Sequence, residues 1–103
     1  MDDPLSVLEK QRKFIQDQVG ACKTLDQRLQ LRPSLVQAQL NYQMAVNSVF
    51  QANDAKIADL VTQMKQAQTS LEKMVQELAD TAKVIAAIST AVKIGTELAS
   101  MAK

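Results

Sequence analysis

From Ile57 to Ala99 the chain reads IADLVTQMKQAQTSLEKMVQELADTAKVIAAISTAVKIGTELA. Ile57, Met64, Leu71, Leu78, Ile85, Val92 and Ala99 recur at every seventh position. Leu60/Val61, Ala67/Gln68, Met74/Val75, Thr81/Ala82, Ile88/Ser89 and Gly95/Thr96 fall between them. This is the a/d/e pattern of a helix that buries one stripe against another helix. Proline is absent from the stretch and Gly95 is its one glycine.

Composition agrees with that reading. The 103 residues are 47% hydrophobic but 3% aromatic, with two Gly and two Pro. β architectures need more turn material and more aromatic or β-branched runs, so the chain is expected to be all-α. Its length sets a single domain, 1–103. The net charge of +1 suggests no nucleic acid, anionic membrane or basic ligand as a bulk electrostatic partner. Histidine is absent and Cys22 is the one cysteine. Imidazole-based catalysis, the usual zinc sites and Cys-x-x-Cys chemistry are therefore excluded. We expect no enzyme activity, no catalytic residues, no cofactor and no metal.

Outward toward the N-terminus, Asp3-Pro4 reads as an N-cap followed by the first helical residue. Ser6 with Glu9 offers a capping box slightly later. Leu8, Ile15, Cys22 and Leu29, with Leu5, Val19 and Leu25, form a stripe that predicts a first helix over about 5–31. Gly20-Ala21-Cys22 is expected to allow close helix approach, or else to form a joint. Pro33 is expected to end this helix, because the residue before proline is pushed out of the helical region. Ser34-x-x-Gln37 then reads as the capping box of a second helix over about 35–102. The fold class is thus an all-α helical hairpin with a long second helix of coiled-coil type. The alternative is a three-helix bundle with a break near 53–54, at Asn53-Asp54, or near 67–70, where Thr69 and Glu72 match a capping box.

Two segments depart from an ordinary amphipathic pattern. Pro33 to Asn53 contains no charged residue, yet its Gln and Asn content is too high for a membrane span. It reads either as a solvated amide-rich helix or as one touched on most sides. In 81–103, Val84, Ala87, Ala91, Ile94, Leu98 and Met101 widen the apolar surface beyond the seam. A helix apolar around its circumference is expected to be packed by several helices. Membrane contact through 81–103, as an amphipathic surface helix, is the alternative.

Length then points to assembly. At ~1.5 Å per residue, a second helix of this extent spans roughly 100 Å, and the first covers only about 40 Å of it. Leaving the remaining stripe in water would forfeit roughly 10 kcal/mol or more. The expected assembly interface is Leu71, Met74, Leu78, Ile85, Ile88, Val92, Ile94, Leu98 and Met101. Its partner would be a second copy of the chain or a helical protein. The remaining polar groups read as surface. Asp54/Asp59 and Glu72/Glu77/Asp80 lack the pairing with histidine that bundle metal sites use. Lys10, Arg12, Lys13, Lys23, Arg28 and Arg32 lack the interleaved aromatics of a nucleic-acid surface. Arg12 lies on the first stripe with its head able to reach water, Cys22 reads as a small core residue, and Tyr42 and Phe50 read as anchors.

The run Pro33-Ser-Leu-Val-Gln-Ala-Gln-Leu-Asn-Tyr-Gln-Met-Ala-Val-Asn-Ser-Val-Phe50 resembles the second helix of type III secretion needle and inner-rod subunits. Pro33, Leu35, Leu40, Tyr42, Val46 and Val49 carry the match, within about 33–61. The resemblance implies a helical hairpin that polymerises as a building block of a secretion machine. The heptads continuing beyond this segment depart from that family. The functional expectation is a non-enzymatic, self-assembling structural subunit, a coiled-coil oligomer or filament. The alternatives are a chaperone-like or adaptor module that presents its stripe to a partner helix, and a membrane-active helical protein. With no cleavable signal peptide or transmembrane segment in the sequence, the expected location is the cytoplasm or export by a signal-peptide-independent route.

Overall fold

The computed structural model describes residues 3–48, 50, 54–77 and 80–101. The described residues are helical throughout their regular structure, as an all-α composition requires, and form α1 (Pro4–Ala21), α2 (Leu25–Val46), α3 (Ala55–Gln76) and α4 (Thr81–Ser100). Two helices over 5–31 and 35–102 are therefore not what forms. The first expected helix divides at 22–24 and the second divides twice more.

Each boundary has a local cause. At the N-terminus, Asp3 accepts a hydrogen bond from the Leu5 backbone N–H at 3.2 Å, with Pro4 in the first turn. The chain leaves α1 at Cys22, which is extended at φ −63° and ψ 133°. Thr24 then caps α2 by accepting from Gln27 N–H at 3.2 Å, while Gln27 Oε1 accepts from Lys23 N–H at 3.2 Å. Gln27 thus reaches back one residue beyond the cap, a variant of the capping box in which the N–H it satisfies is that of Lys23 rather than of Thr24. Asp54 caps α3, accepting from Lys56 N–H at 2.9 Å and Ile57 N–H at 3.3 Å. Asp80 caps α4, accepting from Ala82 N–H at 3.1 Å. The alternative break near 53–54 thus coincides with the start of α3, although Asn53 lies outside the described residues. The alternative break near 67–70 does not form. Thr69 sits inside α3 with its hydroxyl bonded to the Lys65 carbonyl at 3.0 Å, and Glu72 accepts from the Gln68 amide.

Pro33 lies inside α2. Proline in a helix interior withholds a hydrogen bond from the carbonyl four residues back, here Leu29, and commonly costs ~3 kcal/mol. Both Pro33 and Leu29 are exposed, so water can reach the unpaired carbonyl on that side. Leu31 and Ala38, both 1% exposed, anchor the helix on either side of the proline.

The helices form two hairpins. Arg12 of α1 stacks over Tyr42 of α2, and Lys56 of α3 pairs with Glu97 of α4 at 3.7 Å, so each hairpin is antiparallel. Asn41 meets Thr96, which sets α2 beside α4 and parallel to it. α4 touches each of the other three helices, and α1 also touches α3. The molecule measures 42 × 24 × 15 Å along its principal axes.

Two apolar clusters fill the interior. One gathers Val7, Leu8, Ala45, Ile57, Leu60, Val61, Met64 and Leu98. The other gathers Ile15, Leu31, Ala38, Leu71, Val84, Ile88, Ala91 and Val92. Between them lies a polar layer. Gln11 donates to the Ala91 carbonyl at 2.9 Å, and the Asn41 amide hydrogen-bonds with Thr96 Oγ1 at 3.1 Å and the Gln37 amide at 2.9 Å. Close approach belongs to Gly95 rather than to Gly20. A Cβ on Gly95 would stand 2.5 Å from Gln11 Oε1, whereas Gly20 has nothing within 4 Å.

Candidate interaction surface

The residues expected to form an intermolecular interface are drawn inward by these turns. Leu71, Ile88, Val92 and Leu98 are buried in the chain's own core. Met74 and Ile85 pack against the cluster around Ile88, and Ile94 and Met101 pack against the cluster around Leu98, each half-buried. Leu78 lies outside the described residues. The premise that this stripe lacks a partner within the chain required an unbroken second helix. With α2, α3 and α4 as separate helices, α4 folds back along α3 and packs against α1 and α2, so its several apolar sides face three helices.

The unpartnered apolar surface is on α2. Leu25, Leu29, Val36, Leu40, Met44 and Val46 are large hydrophobics left exposed, from Leu25 at 71% down to Met44 at 48%. Leu25, Leu29, Val36, Leu40 and Met44 follow one another at steps of four, seven, four and four residues. At ~100° per residue they stay within about a third of the helix circumference. The opposite side of α2 carries the buried Leu31, Ala38, Asn41 and Ala45. The helix is therefore apolar on two faces, and only one is covered. Its lack of charge beyond Arg32 now has a location. The outer face presents Leu, Val and Met bordered by Gln39 and Gln43, with Arg28, Arg32 and Asp26 confined to its N-terminal half.

Beside the stripe, a shallow groove of ≈ 780 Å³ is lined by Arg12, Gln39, Tyr42, Gln43, Val46 and Asn47. The Arg12 guanidinium stands 5.1 Å from the Tyr42 ring centroid, which fixes the wall between α1 and α2. Arg12 is half-buried, as its place on the first stripe implied.

The carboxylates occupy structural positions. Asp3, Asp54 and Asp80 cap helices, Glu77 pairs with Lys73 at 3.9 Å, and Asp59 accepts from Gln63 one turn on. No group of three or more potential ligands that could hold a metal occurs among the described residues. Cys22 is half-buried and its thiol donates to the Gln18 carbonyl at 3.2 Å. Among the described residues no helix is long and apolar enough to cross a membrane.

In the sequence, Pro33 divides the outer stripe between two expected helices, with Leu25 and Leu29 in the one over 5–31 and Val36 and Leu40 in the one over 35–102. Thr24-x-x-Gln27 is the signal that places them all on one helix. No protein-family model, curated protein or solved structure matches the chain.

Proposed function

We propose that the chain is a non-enzymatic helical subunit that assembles with copies of itself, and that the outer face of α2 is its assembly surface. The supporting observation is the stripe from Leu25 to Met44, about half-exposed or more along nearly the whole helix. Its five side chains, with Val46 at one edge, present on the order of 500 Å² of apolar surface, the size of patches that usually serve recognition. Membership in a secretion apparatus is the narrower form of this proposal and rests on the resemblance of 33–61 to needle and inner-rod subunits. The groove at Tyr42 favours a second reading, in which the same face receives a helix of another protein, as an adaptor would.

Light scattering on wild type and Leu40→Glu tests the proposal. The wild type is expected to exceed the 11.3 kDa chain mass as concentration rises. Leu40→Glu is expected to stay at that mass with its helicity unchanged. A wild type that remains at the chain mass at every concentration contradicts self-assembly. It leaves the adaptor reading if a helical partner binds and Leu40→Glu abolishes that binding.

A further inference from the structure

We infer that the occupant of the α2 face is a second copy of this chain, docked antiparallel about a two-fold axis between Ser34 and Leu35. The inference rests on the self-assembly reading and specifies its geometry.

The stripe is self-complementary under that operation. Reversed on itself about this centre, Leu29 comes opposite Leu40 of the second copy, Leu25 opposite Met44, and Pro33 opposite Val36. A two-fold interface requires this, since one patch must supply both halves of every contact. The borders agree. Arg28 and Arg32 lie along one edge of the stripe, and Gln39, Gln43 and Val46 continue the same edge toward the C-terminus. The two-fold operation keeps that edge on the same side and reverses its direction. Each basic end then meets the uncharged amide end of the other copy, and no like charges face each other.

The helix ends add a second argument. α2 has no basic residue in its last turn. In this register the antiparallel neighbour brings Lys23 opposite Val46, Asp26 opposite Gln43 and Arg28 opposite Asn41, a net positive charge within about a turn of that end, where cations are favoured by the helix dipole. A parallel pair would align the two dipoles in the same sense and leave both C-terminal turns without a cation. The apolar stripe alone is smaller than the ~800 Å² per partner of a standard stable interface. The Arg, Gln and Asn borders bring it toward that size, so the dimer is expected to be reversible and concentration-dependent.

Disulfide trapping decides the orientation. Leu29→Cys and Leu40→Cys are made separately in a Cys22→Ser background; both sites are exposed, so the fold is retained. In the antiparallel dimer, two copies of residue 29 stand roughly 16 Å apart along the axis, beyond the ~7 Å reach of a disulfide. Mixed under oxidising conditions, the two variants are expected to cross-link with each other several-fold more than either does alone. If each variant cross-links better with itself, the pairing is parallel and the inference is overturned. If light scattering shows a dimer but neither pattern appears, the α2 pairing is wrong while self-assembly stands. If no dimer forms at any concentration, the self-assembly reading falls as well.

Discussion

α2 and α4 both carry apolar side chains on more than one face, and they meet opposite fates. α4 is enclosed by three helices, with Ile88 and Leu98 fully buried. α2 is enclosed on one side only, and its other side holds Leu25 and Leu40 in solvent. Apolar patterning reports that a surface needs covering. It does not report which element covers it, because that depends on where the chain turns. Before the turns are placed, α4 looks like the unsatisfied surface. Once they are placed, α4 supplies the centre of the molecule and α2 inherits the open face.

The strongest way to break this comparison is to attack α4 as though it were a surface. Ile88→Asp places a carboxylate where the side chain has no solvent exposure. Burial of an unpaired charge of this kind should remove more than ~4 kcal/mol, a large part of the roughly 5–15 kcal/mol typical of a domain. Circular dichroism should show most helicity lost at 25 °C. Retained helicity with a changed oligomeric mass would instead make α4 an outer face.

The next effect probes why α4 can approach α1. Gly95→Ala sets a methyl group 2.5 Å from Gln11 Oε1 and 3.4 Å from Leu8 Cδ2. Gln11 must move and give up its bond to the Ala91 carbonyl, so a loss of about 1–3 kcal/mol is expected despite alanine's better helix propensity. Gln11 Oε1 is already buried without a hydrogen-bond partner among the described residues. Adding Gln11→Ala should therefore recover much of the loss, which a denaturation double-mutant cycle reads directly. Additive losses would show that the two residues are not in contact.

A smaller effect concerns the turn that brings α4 inward. Asp80→Ala removes the side chain that accepts from Ala82 N–H. It should lower stability by about 1 kcal/mol without changing the oligomeric mass. The smallest stability effect belongs to the outer face itself. Leu40→Glu should change the unfolding free energy of the monomer by no more than ~0.5 kcal/mol. A loss several times larger would mean that Leu40 packs inside the molecule.

The sequence was legible where one helix could be judged by itself. Asp3-Pro4 starts α1, and the apolar circumference of α4 indicated several neighbours, whereas a break at 53–54, where Asp54 starts α3, was readable only as the alternative to a continuous helix. The turns were harder to see. The connection at 77–80 spans four residues, close to the 3.6 of a helical turn, so the heptads stay in phase across it. Ile85 therefore continues the series from Leu71 although α3 and α4 run in opposite directions. Pro33 misled for a different reason. Its signal assumes that a lost backbone bond is costly, yet on an exposed helix face water moderates that loss and the buried Leu31 and Ala38 hold the helix together. Ser34-x-x-Gln37 and Thr69-x-x-Glu72 matched capping boxes while lying inside helices. The box that does act, Thr24-x-x-Gln27, follows a loop containing no proline. The open face of α2 was least legible of all, because its members were divided by a helix end expected at 31 that the chain does not make.

The most direct test is a concentration series of backbone amide NMR spectra, from low micromolar to millimolar protein. Progressive shift changes should cluster on the outer face of α2, at Leu25, Leu29, Val36, Leu40 and Met44, while Ile88, Val92 and Leu98 of α4 stay fixed. Spectra that do not change with concentration, or changes centred on α4, would contradict the assignment of the open face to α2.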